Sequence, residues 1–201
     1  NIQYKIRTGK VYDEIATYAK INKCSFVVVG THGISGFEEL WIGSNANRVV
    51  SIAPCPAFTL RQDFEVSNSI RKIVLPIDRT SETEIKVPFA LAMAKAFNAE
   101  IVLLKLYSTN VPLLKKKVDD IANRICDQLK KEKIKVITDE RLIVNITSDV
   151  LSVIEKNEAD LLVIMTEQKN RTANIMLGEM AQQLVNNCPV PILSIHPEDK
   201  I

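Results

Sequence analysis

Residues 27–44 read VVVGTHGISGFEELWIGS and predict a buried strand, a loop and the start of a helix. The β-branched run ends at Gly30, and Gly33, Gly43 and Ser44 follow with the spacing Gly-x2-Gly-x9-Gly-Ser. A glycine backbone can lie directly against a ligand, and the first N–H groups of a helix favour phosphate. Glycines alone would indicate only a turn, but their combination with a strand and a helix start favours a phosphate site.

The sequence also aligns with itself. Residues 9–60 match residues 144–195 without a gap at an offset of 135, with eight identities among 52 aligned positions. The pairs Thr31/Thr166 and Gly43/Gly178 are among the identities. Both copies keep the order helix, buried strand, loop, glycine-led helix, proline turn and final strand. The chain is therefore predicted to be a tandem repeat.

The periodicity of apolar residues predicts alternating helices and strands. In the first repeat these are the helices Asp13–Asn22 and Asn45–Ile52 and the strands Phe26–Val29 and Ala57–Leu60. Strands that alternate with helices predict an α/β fold with a doubly wound parallel sheet.

The second repeat is predicted to be complete. Its expected strands are Lys72–Ile77, Glu100–Leu106, Val136–Val144, Leu161–Met165 and Pro191–Ile195, and its expected helices are Ser81–Phe97, Leu113–Lys133, Asp149–Lys156 and Glu179–Asn187. The first repeat, residues 1–62, has no counterpart of the stretch Arg71 to Lys135, which holds the opening strands and helices of the second. We expect residues 63–70 to be a linker, residues 71–201 to be the complete repeat, and the chain to begin within a domain.

Three motifs carry a resemblance to a known family. The stretch Val74-Leu75-Pro76-Ile77-Asp78 resembles the opening strand of the universal stress proteins, which ends in Asp, and Gly30 to Ser44 resembles their ATP-binding loop. The turn with Pro54 and Pro56 fits as well. The chain resembles a bacterial tandem universal stress protein, which implies a role in the stress response and a sheet with strand order 3-2-1-4-5. The resemblance also implies pairing of Ala57–Leu60 with Ile192–Ile195, either within the chain or in a homodimer.

The resemblance assigns roles to the residues of the glycine motif. Gly30 and Gly33 would lie against the ribose and phosphates of ATP, and Gly43 and Ser44 would donate hydrogen bonds to the phosphates. Thr31 and Asn45 belong to the same expected nucleotide site, and Mg²⁺ would accompany the ATP. The alternative is a plain loop with Ser44 as a helix cap. The strands that would hold the adenine lie before Asn1, so we expect no ATP in this chain itself.

The second repeat departs from the motif at three positions. Met165, Gln168 and Glu179 stand where the first repeat has Gly30, Gly33 and Ser44. Two of these side chains would fill the space of a phosphate, and the carboxylate would repel one at the helix start. This repeat is expected not to bind ATP in the manner of the family.

Three further positions match family contacts in the second repeat. Asp78 and Leu106 match the contacts to ribose and adenine, and Gly178 is the one glycine of the motif that remains. Because the phosphate loop is altered, these three residues are expected to be vestigial.

Composition excludes several classes of function. The 201 residues carry a formal charge of +2 with scattered basic residues, which predicts no nucleic-acid surface. The sequence contains no apolar run of the roughly 20 residues that a membrane span requires. Four widely spaced cysteines without metal-ligand spacing favour reduced thiols and a cytoplasmic location.

Catalysis is not predicted, beyond weak ATP hydrolysis. The two histidines do not form a catalytic set with any nucleophile, no carboxylate pair is spaced for acid/base work, and no metal site is indicated. His196 is expected to be an exposed residue at the end of the last strand. Besides ATP binding, the open alternatives are a nucleotide-free scaffold that acts through pairing and a slow ATPase.

Overall fold

A computed structural model describes residues 2–31, 44–61, 69–166, 168–169 and 176–199. Most of the predicted glycine loop, including Gly33 and Gly43, and most of the predicted linker lie outside the described residues. We refer to residues 2–61 as the first segment and to residues 69–199 as the second segment.

The described elements alternate between helix and strand. The α-helices are α1 (Val11–Ile21), α2 (Ser44–Ile52), α3 (Val87–Phe97), α4 (Pro112–Lys131), α5 (Ile146–Asn157) and α6 (Glu179–Asn187), and one 3-10 helix spans Ser81–Glu84. The strands are β1 (Val27–Gly30), β2 (Ala57–Leu60), β3 (Lys72–Ile77), β4 (Glu100–Tyr107), β5 (Val136–Leu142), β6 (Leu161–Met165), β7 (Gln168–Lys169), β8 (Met176–Leu177) and β9 (Ile192–Ile195). This confirms the predicted α/β class.

Seven of the strands form one sheet in the order β1-β2-β9-β6-β3-β4-β5. Neighbouring strands are parallel except β2 and β9, which pair antiparallel with Phe58 opposite Leu193. The sheet as a whole therefore differs from the predicted parallel sheet of order 3-2-1-4-5, because it has seven strands and one antiparallel pair. The difference arises because β2 and β9 pair with each other. This pairing satisfies backbone N–H and C=O groups that an edge strand leaves unpaired.

Two strand pairs in this sheet share one register. In the first segment Val27 lies opposite Ala57 and Gly30 lies opposite Leu60. In the second segment Leu162 lies opposite Ile192 and Met165 lies opposite Ile195. These are the same positions shifted by the 135 residues of the sequence repeat. The helices α2 and α6 have the same length, and their first residues, Ser44 and Glu179, are separated by the same offset.

The core lies on both faces of the central strands. Alternate residues of β3 point to opposite faces, so that Ile73 and Leu75 pack with α3 and α4, while Val74 packs with α2, α5 and α6. All three side chains are fully buried. Strands buried on both faces are typical of a parallel sheet with helices on each side. This arrangement leaves the carboxyl ends of the strands free to form a cavity.

Pro88 accounts for one difference from the predicted helices. A single helix was expected over Ser81–Phe97, but the structure has a 3-10 helix that ends at Glu84 and an α-helix that begins at Val87 with Pro88 in its first turn. Proline lacks a backbone N–H and is tolerated at a helix start. The break positions Lys86 between the two helices.

Candidate functional site

The structure places four of the six predicted nucleotide-binding residues of the first segment. Gly30 ends β1, and Ser44 begins α2, so the glycine motif runs from a strand end to a helix start. Thr31 is 2% exposed, and its backbone N–H donates to the carbonyl of Leu60 at 2.8 Å. Asn45 is exposed in the first turn of α2. Gly33, Gly43 and the side chain of Ser44 lie outside the described residues.

The second segment contains a cavity at the corresponding place. About 880 Å³ of space lies at the carboxyl ends of its central strands, and Asp78, Leu106 and Gly178 all line it. The structure therefore brings together the three residues that the sequence analysis expected to be vestigial. Asp78 follows β3, Leu106 lies in β4, and Gly178 precedes α6. The carboxyl ends of parallel strands are the usual place for ligands in such sheets.

The altered positions of the glycine motif lie beside this cavity. Met165 ends β6 and lines the space, and Glu179 lines it from the first residue of α6. A carboxylate at a helix start is stabilised by the helix dipole and occupies the position that a phosphate would use. Gln168 begins the short strand β7, which pairs antiparallel with β8. The sequence analysis did not predict this hairpin.

Asp78 organises the turn at the end of β3. Its Oδ1 accepts hydrogen bonds from the Thr80 backbone N–H at 2.9 Å and from Thr80 Oγ1 at 2.6 Å. The backbone N–H of Asp78 donates to Thr83 Oγ1 at 3.1 Å. One carboxylate oxygen of Asp78 is therefore used to hold the turn, as expected for a short acidic side chain after a strand.

Lys86 is a polar residue of the cavity that the sequence analysis missed. It is 5% exposed, lines the cavity, and donates from Nζ to Thr83 Oγ1 at 3.1 Å. Burial lowers the pKa of Lys86 from 10.5 to about 8, and the negative charge of Asp78 opposes this shift. The available signal was a lysine among apolar neighbours, Ile85-Lys86-Val87-Pro88-Phe89, at the start of a predicted helix.

His196 is buried rather than exposed at the end of the last strand. It is 2% exposed, and its backbone N–H donates to Asp199 Oδ2 at 2.7 Å. The predicted exposure was wrong because β9 is covered by the first segment, whose Val50 carbonyl lies against the His196 ring. Burial lowers the pKa of His196, and Asp199, whose own pKa is raised by burial, opposes that shift.

Metal-ligating side chains do not cluster within the part of the chain that the structure describes. No three His, Cys, Asp or Glu residues come together there in a way that could hold a metal ion. All four cysteines are free thiols, with Cys55 and Cys188 buried. None of the described helices is long and apolar enough to cross a membrane.

Comparison with known proteins identifies the family. A model of the universal stress protein family matches residues 1–61 and 69–196. A universal stress protein of Mycolicibacterium smegmatis is 35% identical over 54 residues, which cover 27% of this chain and 42% of that protein. The chain thus spans less than half the length of that curated relative.

Solved structures show the same fold. A universal stress protein from Archaeoglobus fulgidus superposes with a TM-score of 0.75 at 17% identity, covering 92% of this chain and 66% of that one. A universal stress protein solved in complex with cAMP superposes with a TM-score of 0.53 at 17% identity, covering 65% of this chain and 99% of that one. Because the family model covers nearly all of the sequence, the chain belongs to the universal stress protein family.

Proposed function

We propose that this protein binds ATP as a cytoplasmic member of the stress response, through the glycine motif of its first segment. The observation that carries the proposal is the position of the motif: β1 ends at Gly30 and α2 begins at Ser44. Such a strand, loop and helix start supply backbone N–H groups and a helix dipole for phosphate. The complex of a related fold with cAMP supports an adenine nucleotide as the ligand. Mg²⁺ would arrive with the phosphates of ATP.

The proposal includes a tandem architecture. The register that β1–β2 and β6–β9 share at the offset of the sequence repeat supports two copies of one unit. The family model likewise matches two separate stretches of the chain. In the seven-stranded sheet the strands of the second segment lie in the order β5-β4-β3-β6-β9. Numbered along the chain without β7 and β8, this is third, second, first, fourth and fifth, the order that the resemblance implies. The first segment would then correspond to the later part of the second segment.

The two segments would differ in function. Glu179 at the start of α6 places a carboxylate where the first segment has Ser44, and Met165 places a side chain at the cavity where the first segment has Gly30. We therefore assign ATP to the first segment and a pairing role to the second. The β2–β9 pairing joins the two segments through backbone hydrogen bonds within one chain. This observation favours a scaffold as the second candidate function, one that acts without nucleotide.

Titration calorimetry with ATP and Mg²⁺ tests the proposal. The full-length protein should bind ATP. The substitution Gly33→Gln, which copies the residue of the second segment, should abolish binding and leave the circular dichroism spectrum unchanged. Ser35→Gln is the matched control, since it adds the same side chain to the loop outside the motif, and it should bind ATP normally.

Two results would overturn the proposal. The first is the absence of binding to the full-length protein at millimolar ATP, which would leave the scaffold as the better candidate. The second is unchanged affinity in Gly33→Gln, which would show that the motif does not hold the phosphates. Phosphate release by the same proteins separates binding from slow hydrolysis, and release that disappears in Gly33→Gln would identify a slow ATPase.

A further inference from the structure

The cavity of the second segment has an apolar wall, a buried Thr166 whose hydroxyl donates to the Ile195 carbonyl, and a buried polar corner. Leu106, Val150, Ile164 and Leu184 line it and are each at most 4% exposed. The polar corner is formed by Thr83 and Lys86, which are 1% and 5% exposed. A cavity that is mainly apolar, with a few polar groups that converge on one point, is typical of a small-molecule site.

The polar corner has hydrogen-bond donors without acceptors. A lysine ammonium has three N–H groups, and Lys86 uses one of them on Thr83 Oγ1. Thr83 Oγ1 accepts from both Lys86 Nζ and the Asp78 backbone N–H, so its own hydroxyl proton remains available. No described residue accepts a further hydrogen bond from either group. Buried polar groups are normally paired, and leaving one unpaired destabilises the folded state.

The charges around the cavity restrict the ligand. Among the described residues, the charged side chains that line it are Lys86, which is buried, and Asp78, Glu82 and Glu179. One cation and three carboxylates disfavour a polyphosphate, whose several charges would be repelled. Among the described side chains that line the cavity, Lys86 is the cation that a single carboxylate could contact, and the oxygens of that carboxylate would accept the available hydrogens. The apolar wall would contact the rest of such a ligand.

We propose that this cavity binds a monocarboxylate with an apolar body, whose carboxylate accepts hydrogen bonds from Lys86 Nζ and Thr83 Oγ1. Lys86 would supply the positive charge, and Leu106, Ile164 and Leu184 would contact the apolar body. This site is separate from the ATP site proposed for the first segment. The two proposals therefore succeed or fail independently.

Calorimetry with octanoate as the probe tests the site on residues 1–201. Octanoate should bind at pH 7, and octanamide, which has the same body without the charge, should bind at least tenfold more weakly. Lys86→Met should reduce the affinity for octanoate at least tenfold and leave the affinity for octanamide unchanged. Lys95→Met is the matched control on α3, because the Lys95 side chain is 50% exposed and pairs with Glu132 on the surface. It should bind octanoate as the wild type does.

The pH dependence provides a second readout that needs no variant. The affinity for octanoate should be highest near pH 6 to 7, where the carboxylate is ionised and Lys86 is protonated, and should fall as the pH rises beyond the pKa of Lys86. Absence of octanoate binding up to 10 mM would overturn the proposal. Equal binding of octanoate and octanamide to the wild type, or unchanged octanoate affinity in Lys86→Met, would overturn it too.

Discussion

The ends of β1 and β6 have the same backbone geometry in different surroundings. The N–H of Thr31 donates to the Leu60 carbonyl at 2.8 Å, and the N–H of Thr166 donates to the Ile195 carbonyl at the same distance. Both threonines are buried. The backbone thus repeats at the two positions after which the sequences diverge.

The side chains of the two strands differ in their exposure. Val28 in β1 is 52% exposed, whereas Val163, which occupies the same position in β6, is fully buried. The reason is the place of each strand in the sheet, since β1 lies at its edge and β6 lies between β9 and β3. Local sequence determines the strand and its register, and the neighbouring strands determine how much each side chain contributes to stability.

The largest expected effect is therefore a difference in the free energy of unfolding that the same substitution removes at residue 28 and at residue 163. Val163→Asp buries an unpaired carboxylate and should lower the free energy of unfolding by more than about 3 kcal/mol. Val28→Asp places the carboxylate at a half-exposed edge position and should cost less than about 1 kcal/mol. Urea denaturation followed by circular dichroism measures both.

Similar losses in the free energy of unfolding for Val28→Asp and Val163→Asp would contradict the argument from their difference in burial. Val28→Thr and Val163→Thr are the milder pair, and they keep the comparison measurable where Val163→Asp does not fold. A hydroxyl buried without a partner costs about 1–3 kcal/mol, so Val163→Thr should again be the less stable of the two.

Much of the fold could be predicted from the sequence because local patterns determine it. The strands Ala57–Leu60, Lys72–Ile77 and Leu161–Met165 and the helix Glu179–Asn187 have the predicted bounds. Continuous apolar runs and proline or glycine boundaries are local signals. The mixed seven-stranded order depends on the pairing of β2 with β9, which lie far apart in the sequence; the resemblance implied this pairing, but no local pattern did.

The candidate site was predicted less completely. Asp78, Leu106 and Gly178 line one cavity. Lys86 and His196 were missed because a long or polar side chain is assigned to the surface by default, and their burial follows from packing between distant elements. The helix break next to Pro88 positions Lys86. His196 is buried because the first segment covers β9.

His196 gives the second comparison, because the matching position in the first segment is Arg61. Arg61 is permanently charged, and its Nη1 donates to the Asn186 carbonyl at 3.1 Å. His196 is buried, and burial is the largest cause that lowers its pKa below the ordinary value of 6.5, against the opposing charges of Asp199 and Glu198. Below pH 6.5 the unfolded chain therefore binds a proton that the folded chain does not.

Stability should consequently fall as the pH drops from 6.5 toward the pKa of folded His196, by at most about 1.4 kcal/mol per pH unit. Urea denaturation at pH 7.0 and pH 5.5 measures this change. His196→Phe should remove this part of the pH dependence, and His32→Gln, the control for the other histidine, should leave it in place. An unchanged slope in His196→Phe would show that other groups cause the acid destabilisation.

The smallest expected effect concerns the ends of α1 and α5, where the two segments share a left-handed residue. Lys23 has a φ of 49° and Glu158, at the matching position, has a φ of 50°. The following N–H groups make the same contact, Cys24 to the Ala19 carbonyl at 2.9 Å and Ala159 to the Ile154 carbonyl at 3.0 Å. A side chain in this conformation is strained, and glycine is the preferred residue at such a helix end.

Lys23→Gly and Glu158→Gly should each raise the free energy of unfolding by about 0.5–1 kcal/mol, since glycine relieves the strain. Lys20→Gly, inside the last turn of α1, is the control and should instead lower it by about 1 kcal/mol. Thermal and urea denaturation of the three variants measure the differences. Equal gains at residues 23 and 158 would show that the two helix ends are energetically equivalent. A gain at residue 158 alone would mean that α1 unfolds independently of the rest of the sheet, so that its local stability does not enter the global transition.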